Sequence, residues 1–293
     1  MPRYRPATQD FRFPVPIAEL EPFAISAGAD EETVFVSSSF PGNEYPNLIS
    51  RAEGWVASAQ RMVEAYGVES GFLLKVEDCG EYFIAPHGET IGKWDPQEKL
   101  SQLDREILLG PVIVLALALC NVWSLHASAA MYNENVIAFL GESGTGKSTL
   151  AAYLSKQTGW QLVADDILPV KMNEDEVNAL PHFPQLKLPM SEQPGVGLPE
   201  RLPLKHLCVL ERANTDEIPE LQKMSAAQTV QAFLGHIAGT RMFNAELLAK
   251  HLEFSTQAAA QGTAYKLIYP HRREALPMIK ELLEKKPLGF CKP

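Results

Sequence analysis

One segment in the middle of the chain has the residue types and spacing of a phosphate-binding loop. Residues 141–148 read Gly-Glu-Ser-Gly-Thr-Gly-Lys-Ser and match the pattern G-x-x-x-x-G-K-[ST] between an apolar strand and a helix. The glycines let backbone N–H groups close around phosphate oxygens at the start of that helix. Lys147 would place a positive charge at the β and γ phosphates, and the Ser148 hydroxyl would coordinate Mg²⁺. The nucleotide-binding residues predicted here are Gly141, Glu142, Ser143, Gly144, Thr145, Gly146, Lys147, Ser148 and Thr149.

Two adjacent carboxylates follow the loop after one predicted helix and one predicted strand. Asp165 and Asp166 close the strand predicted at residues 161–164, so they are expected beside the loop at the same edge of the sheet. One carboxylate can hold the metal while the other takes a proton from an acceptor hydroxyl, as phosphoryl transfer requires. The alternative is a helix-capping aspartate with a solvated neighbour. The sequence does not say which aspartate would have which role.

Several basic residues are weaker candidates. His126 lies on a strand predicted at residues 124–131, next to the strand that enters the loop, and is expected near the γ-phosphate. The alternative is a histidine satisfied in the core. Lys187, Arg201 and Arg241 are candidates to neutralise the transferring charge, and a solvated surface position is the alternative for each.

The elements around these residues are predicted from apolar periodicity and from turn and capping residues. A helix start is predicted at residues 95–98, and residues 181–203, which are rich in proline, are predicted to form a packed extended loop or a mobile active-site loop. The predicted helices are 48–65, a buried one at 107–120, 150–157, 225–236, 243–252 and 273–285. The predicted strands are 33–36, 71–77, 81–85, 89–91, 124–131, 136–140, 161–164, 167–172, 177–180, 206–211 and 265–269.

Length and composition restrict the class of protein. A chain of 293 residues predicts one large or two modest domains, and we place a small mixed α+β region at 1–94 and the loop-containing α/β domain at 95–293. Asp and Glu total 36 against 26 Lys and Arg, and this acidic excess argues against a nucleic-acid binder. No closely spaced cysteine pair, signal peptide or bilayer-length apolar run occurs. The expectation is a cytoplasmic protein without a membrane partner.

Three segments together resemble a known family. Leu125-His126-Ala127-Ser128-Ala129, the loop at 141–148 and Leu162-Val163-Ala164-Asp165-Asp166 occur in this order and spacing. They resemble the catalytic domain of HPr kinase/phosphorylase, and more closely its shorter HPr serine kinase-like relatives. The resemblance is specific over about residues 107–170 and looser towards the C-terminus.

The resemblance implies a fold and an activity. The implied fold is similar to phosphoenolpyruvate carboxykinase, with a P-loop in a mixed sheet, and the implied reaction is ATP-dependent phosphorylation of a serine hydroxyl. Asp165 and Asp166 would divide metal binding and general-base duty, and His126 would lie by the transferring phosphate. Thr149 and Ala127 stand where the bifunctional enzymes usually have Glu and Gly, and no Gly-rich phosphorolysis signature follows Leu180. Some relatives of the shorter type look like tailoring kinases for ribosomally made peptides such as lasso peptides.

The leading hypothesis is a kinase that uses ATP and Mg²⁺ and phosphorylates a serine of a peptide or small protein, either HPr-like or a ribosomally made precursor. Asp165, Asp166, Lys147 and His126 are its predicted catalytic residues, and Ser148, Asp165 and Asp166 its predicted metal ligands. A nucleotide-dependent regulatory ATPase or switch is one alternative, although no N-K-x-D or L-S-G-G-Q motif occurs. A small-molecule kinase is the other alternative. The sequence leaves open whether the protein forms a homo-oligomer.

Overall fold

A computed structural model describes residues 1–26, 33–37, 47–56, 59–94, 100–189, 192–214 and 217–285. The helices are Gln102–Ile107 (α1), Ile113–Leu119 (α2), Lys147–Leu154 (α3), Ala226–His236 (α4), Ala245–Gln261 (α5) and Leu276–Lys285 (α6). The strands are Arg3–Tyr4 (β1), Phe11–Arg12 (β2), Thr33–Ser37 (β3), Asn47–Val56 (β4), Ala59–Val68 (β5), Gly71–Val76 (β6), Gly80–Ile84 (β7), Thr90–Trp94 (β8), Trp123–Tyr132 (β9), Asn135–Leu140 (β10), Trp160–Asn173 (β11), Glu176–Ala179 (β12), Leu202–Ala213 (β13), Glu220–Lys223 (β14) and Thr263–Pro270 (β15).

The architecture is mixed α/β, with two mixed sheets and helices, and internal contacts divide the chain into two units. The first unit contains Met1–Ser124, His182–Ser191 and Ala238–Lys250. The second contains Leu125–Pro181, Glu192–Ile237 and His251–Pro293. The boundary predicted after residue 94 falls inside the first unit.

The first unit is built on an eight-stranded sheet with the order β1-β2-β3-β8-β7-β6-β5-β4. Strands β4 to β8 form an antiparallel run, whereas β3 pairs parallel with both β2 and β8. Buried aromatic rings pack at the β1–β2 side, where Phe13 lies 6.0 Å from Tyr4 and 5.8 Å from Phe35 between ring centroids. The strands predicted at 33–36, 71–77, 81–85 and 89–91 are confirmed.

The helix predicted at residues 48–65 is wrong, because this segment forms the β4–β5 hairpin. The pairing runs from Asn47 opposite Gly67 to Val56 opposite Ala59. Strand β5 also pairs along its other edge with β6 over residues 63–68, so this part of the strand is paired on both sides. Apolar residues at helical spacing could not reveal this pairing, since tertiary context overrides local propensity.

The apolar segment predicted as a buried helix at 107–120 is confirmed, in two parts. Helix α1 starts with a capping box in which Ser101 and Asp104 bond each other's backbone N–H groups. A five-residue π segment at Leu108–Val112, which contains Pro111, separates α1 from α2. The helix start predicted at residues 95–98 lies outside the described residues. None of the described helices is both long and apolar enough to cross a membrane.

The second unit is built on the sheet that carries the loop. Strand β10 pairs antiparallel with β9 and parallel with β13, and β13 pairs parallel with β15. The hairpin predicted at 124–131 and 136–140 is therefore confirmed, as are the elements predicted around 206–211, 225–236, 243–252, 265–269 and 273–285. A core of apolar residues under α3 and α6 includes Ile137, Phe139, Leu150, Leu267 and Ile279. The carboxyl ends of β10, β13 and β15 thus lie side by side.

The proline-rich segment contains no regular helix or strand at 181–189 or 193–201, as predicted. Its first part packs in the first unit. The Ala7 N–H donates to the His182 carbonyl at 2.6 Å, and the Phe183 and Gln185 side chains are buried. Of the two predicted alternatives, residues 182–185 form the packed extended loop.

Candidate functional site

The glycine-rich loop leaves β10 after Leu140 and ends where α3 begins at Lys147. Its glycines have left-handed backbone angles, with φ of +144° at Gly141, +80° at Gly144 and +103° at Gly146. At Gly146 there is no room for a side chain either. A Cβ atom there would collide with the Tyr269 hydroxyl and lie 3.2 Å from His271 Nε2. Both conformation and space therefore require glycine at position 146.

Lys147 is the buried cation of the loop, with 7% of its surface exposed. Its Nζ donates to the carbonyl oxygens of Gly141 at 2.7 Å and Glu142 at 3.2 Å. These contacts hold the ammonium group inside the loop, at the start of α3, where backbone amides can also meet an anion.

Neighbouring strands hold the loop in place. The Tyr269 hydroxyl of β15 donates to the Thr145 carbonyl at 2.6 Å. The Arg212 guanidinium of β13 donates to the Gly144 carbonyl. Glu142, Ser143, Gly144, Ser148 and Thr149 are exposed, so the concave side of the loop is open to a ligand.

A buried serine connects the start of α3 to the first carboxylate. Ser128 on β9 is fully buried, and its Oγ donates to Asp165 Oδ1 at 2.7 Å. The same Oγ lies 3.4 Å from Ser148 Oγ. The structure thus brings together Ser148 and Asp165, both predicted metal ligands. No role was predicted for Ser128. Once β9 is placed beside the loop, this serine lies between the two predicted metal ligands, Ser148 and Asp165.

The second carboxylate lies beside the predicted histidine. His126 Nε2 is 3.3 Å from Asp166 Oδ1, and both side chains are partly exposed. Asp166 has a φ of +100°, which is rare for a non-glycine residue and is often found at functional sites. The prediction that the two aspartates end a strand is wrong, because β11 runs from Trp160 to Asn173 through both of them. This strand also pairs with β12, and that pairing carries it past the aspartates.

His236 is a member of the site that the sequence did not indicate. It is the last residue of α4, and a bridge between Leu125 and Ile237 joins the end of α4 to the start of β9. Burial lowers the pKa of His236, and the nearby charges of Lys147 and His126 lower it further. The influence of both charges indicates that His236 lies near Lys147 and His126. Only the tertiary bridge places it there, so no sequence spacing could have revealed it.

The oxygen donors at the site suit Mg²⁺. Within the described ranges no group of three or more His, Cys, Asp or Glu side chains could hold a metal by itself. Magnesium usually takes only one or two protein carboxylates and completes its shell with water and substrate phosphates. The Ser148 hydroxyl and the Asp165 carboxylate, which both lie by Ser128, match that requirement.

Three basic residues were predicted as candidates to neutralise the transferring charge: Lys187, Arg201 and Arg241. Lys187 and Arg241 belong to the first unit, whereas the loop and both aspartates belong to the second. Arg201 is exposed immediately before β13. The second unit instead offers Arg212, Arg272 and Arg273, at or after the ends of β13 and β15. These three arginines could have been predicted from the sequence, because parallel strands bring their carboxyl ends to the edge where α/β proteins bind ligands.

Comparison with known proteins adds a likeness to solved structures. The chain is similar to the structure of the HPr(Ser) kinase/phosphatase from Coxiella burnetii, with 14% sequence identity and a TM-score of 0.33. The match covers 56% of this chain and 90% of that one. No family model and no curated protein matches the chain.

Proposed function

We propose that the protein is a kinase that uses ATP and Mg²⁺ to phosphorylate a hydroxyl group, a serine of a peptide or small protein. The observation that carries this proposal is the hydrogen bond from Ser128 Oγ to Asp165. The same Ser128 Oγ lies 3.4 Å from Ser148 Oγ, which follows the buried Lys147 of the loop. It connects the predicted phosphate-binding loop with the first of the two predicted carboxylates. The resemblance of residues 125–129, 141–148 and 162–166 to HPr serine kinase-like proteins supports serine as the acceptor.

The loop binds the phosphates of ATP in this proposal. Amides at the start of α3 and the Lys147 ammonium contact the β and γ phosphate oxygens, replacing the carbonyl contacts that Lys147 makes in the loop. Ser148 and Asp165 hold the metal ion, which, when bound, neutralises charge on the transferring phosphoryl group. Ser128 keeps the Asp165 carboxylate oriented through its 2.7 Å hydrogen bond.

Asp166 is the general base of the proposed reaction. It accepts the proton from the acceptor serine as the hydroxyl oxygen bonds to the γ-phosphorus, and the bond from that phosphorus to the β–γ bridging oxygen breaks to release ADP. His126 lies 3.3 Å from the Asp166 carboxylate and positions it. The two adjacent aspartates therefore have different partners and different roles.

Paired variants test this division. Asp166→Asn keeps the size of the side chain but removes the base, so we expect transfer to fall by about 10²–10⁴-fold while MgATP still binds. Asp165→Asn should instead weaken the Mg²⁺ dependence of ATP binding. Phosphorylation of serine-containing peptides and small proteins, HPr among them, is measured by intact mass, and MgATP binding by calorimetry. Full transfer by Asp166→Asn would contradict the assignment of the base.

The regulatory ATPase and the small-molecule kinase give different results in the same assay. An ATPase would release phosphate at the same rate with and without an acceptor. A small-molecule kinase would leave every peptide and protein unmodified while a phosphorylated product of low mass accumulates. A peptide or protein kinase adds one phosphate to the acceptor.

A further inference from the structure

A cavity of about 190 Å³ lies beside the loop in the second unit. It extends from the first turn of α3 to the segment between β15 and α6. Its lining combines two aromatic rings, two arginines and one apolar side chain with loop backbone. The lining residues are Gly146, Thr149, Tyr269, His271, Arg272, Arg273 and Leu276.

The cavity lies at the opposite end of the loop from the carboxylates. Ser148 is directed to Ser128, which bonds Asp165, whereas the next residue, Thr149, faces the cavity. A triphosphate held by the loop amides therefore has one end at the carboxylates and the other at the cavity. Because the γ-phosphate must lie at the carboxylates for transfer, the remainder of the nucleotide leaves towards the cavity.

We propose that this cavity is the nucleoside subsite, which takes the base of the nucleoside triphosphate. The proposal rests on the proposed function, since it assumes that the loop binds the triphosphate. It assigns residues 269–276 to nucleotide recognition.

The walls of the cavity have the chemistry that a base requires. The Tyr269 ring is only 3% exposed and is fixed by its hydrogen bond to the Thr145 carbonyl. The His271 ring lies 6.3 Å from it at an interplanar angle of 60° and is exposed, so it is the ring on which a base can stack, and Leu276 adds an apolar surface. Nucleobases stack on aromatic rings and on guanidinium planes, independently of hydrogen-bond readout.

Charge and size agree with the same ligand. Arg272 and Arg273 are exposed at the mouth of the cavity, where guanidinium groups can pair with the α-phosphate. A cavity of roughly 150 Å³ is known to hold one benzene molecule, so about 190 Å³ is suited to a single ring system. The base enters, while the ribose stays at the mouth near the arginines.

The test compares MgATP with magnesium tripolyphosphate, which has the same phosphate chain and lacks the nucleoside. Binding of each is measured by calorimetry for the full chain and for His271→Ala and Leu276→Trp. The first removes one ring from an exposed position, and the second fills the cavity. His87→Ala, at an exposed histidine of the first unit, is the matched control, and Lys147→Met is the control for the loop.

We expect His271→Ala and Leu276→Trp each to weaken MgATP binding at least fivefold and to leave tripolyphosphate binding unchanged. His87→Ala should change neither, and Lys147→Met should weaken both. Unchanged MgATP binding in His271→Ala and Leu276→Trp would overturn the subsite and leave the proposed function standing. Equal weakening of both ligands would also overturn it. If the unmodified protein binds neither ligand, the proposed function fails and the subsite fails with it.

Discussion

Among the described residues, each of the two units buries one lysine, and the two lysines lie in different settings. In the first unit Lys93 forms an ion pair with Asp104 at 3.0 Å, and Tyr82 donates to the same carboxylate at 3.1 Å. In the second unit Lys147 donates to two neutral carbonyl groups of the loop. The first lysine contacts a resident carboxylate, whereas the second contacts backbone carbonyl groups of the loop that is proposed to bind a ligand.

The contrast distinguishes a lysine that pairs with a carboxylate in the fold from a lysine that lies in the proposed phosphate-binding loop. Burying an ammonium group is costly unless a counter-charge compensates it. Residue 93 lies on β8, between its parallel neighbour β3 and its antiparallel neighbour β7, and its partner is supplied by the capping box of α1. Residue 147 is the first residue of α3 and follows the loop that leaves β10, a strand that pairs parallel with β13. In the proposed function, Lys147 contacts phosphate oxygens of ATP.

The largest expected effects come from removing each lysine in turn. Lys147→Met should abolish MgATP binding and phosphate transfer, because the loop loses its cation. Lys93→Met should leave the Asp104 carboxylate buried without its cation and cost about 3–5 kcal/mol of stability. Urea unfolding and calorimetry on both variants measure the two effects. If Lys93→Met abolishes binding in protein that is still folded, the contrast between the lysines is wrong.

Two glycines extend the comparison at the level of the backbone. Gly146→Ala forces a side chain into a left-handed position against Tyr269, so we expect at least a tenfold loss of MgATP affinity and a loss of stability of about 1–3 kcal/mol. Gly67→Ala on β5 is the matched control, since its Cβ would meet only Ile49, at 3.8 Å. Its effect on stability should stay within about 1 kcal/mol. Equal effects of the two substitutions would show that the loop conformation is not needed for binding.

The smallest expected effect is a difference in pH dependence between the units. Burial lowers the pKa of His236 and of His251 in the second unit. The unfolded chain therefore binds protons that the folded unit does not, and stability falls as the pH falls below about 6.5. Burial alone would raise the pKa of Asp104, but hydrogen bonds from Ser101 and Lys93 outweigh it and lower the pKa. Its contribution is present above about pH 3.9 and is lost only as the pH falls through the lowered value.

Hydrogen exchange at several pH values measures this difference directly. After correction for the intrinsic exchange rate, α4 should lose protection between pH 7 and pH 5.5. Strands β5 to β7 should keep theirs until about pH 4. Loss of protection in both regions over the same pH range would contradict the assignment.

The sequence predicted most of the elements of the second unit, because its signals are local. The turn before β10, the glycines of the loop and the serine cap of α4 each lie within a few residues of the element that they define. The β4–β5 hairpin was missed because its apolar residues also match a helical period, and only its pairing with β6 distinguishes the two. The continuation of β11 beyond Asp166 was missed for the same reason.

The candidate site was predicted where residues are joined by one motif and missed where they meet only through folding. Residues 141–148 and the aspartate pair could be found by pattern and spacing. Ser128 and His236 reach the site through strand pairing and a bridge that no local pattern encodes. Lys187 and Arg241 were weaker candidates because a single basic residue carries no spacing information.

The most direct test of the central claim is the ratio of phosphate transferred to ATP consumed in a single reaction. Purified protein, MgATP and a serine-containing acceptor are incubated together, and phosphoserine, ADP and free phosphate are counted at the same time points. We predict one phosphoserine for each ADP, with Asp166→Asn losing both. Stoichiometric free phosphate with an unmodified acceptor would contradict the account.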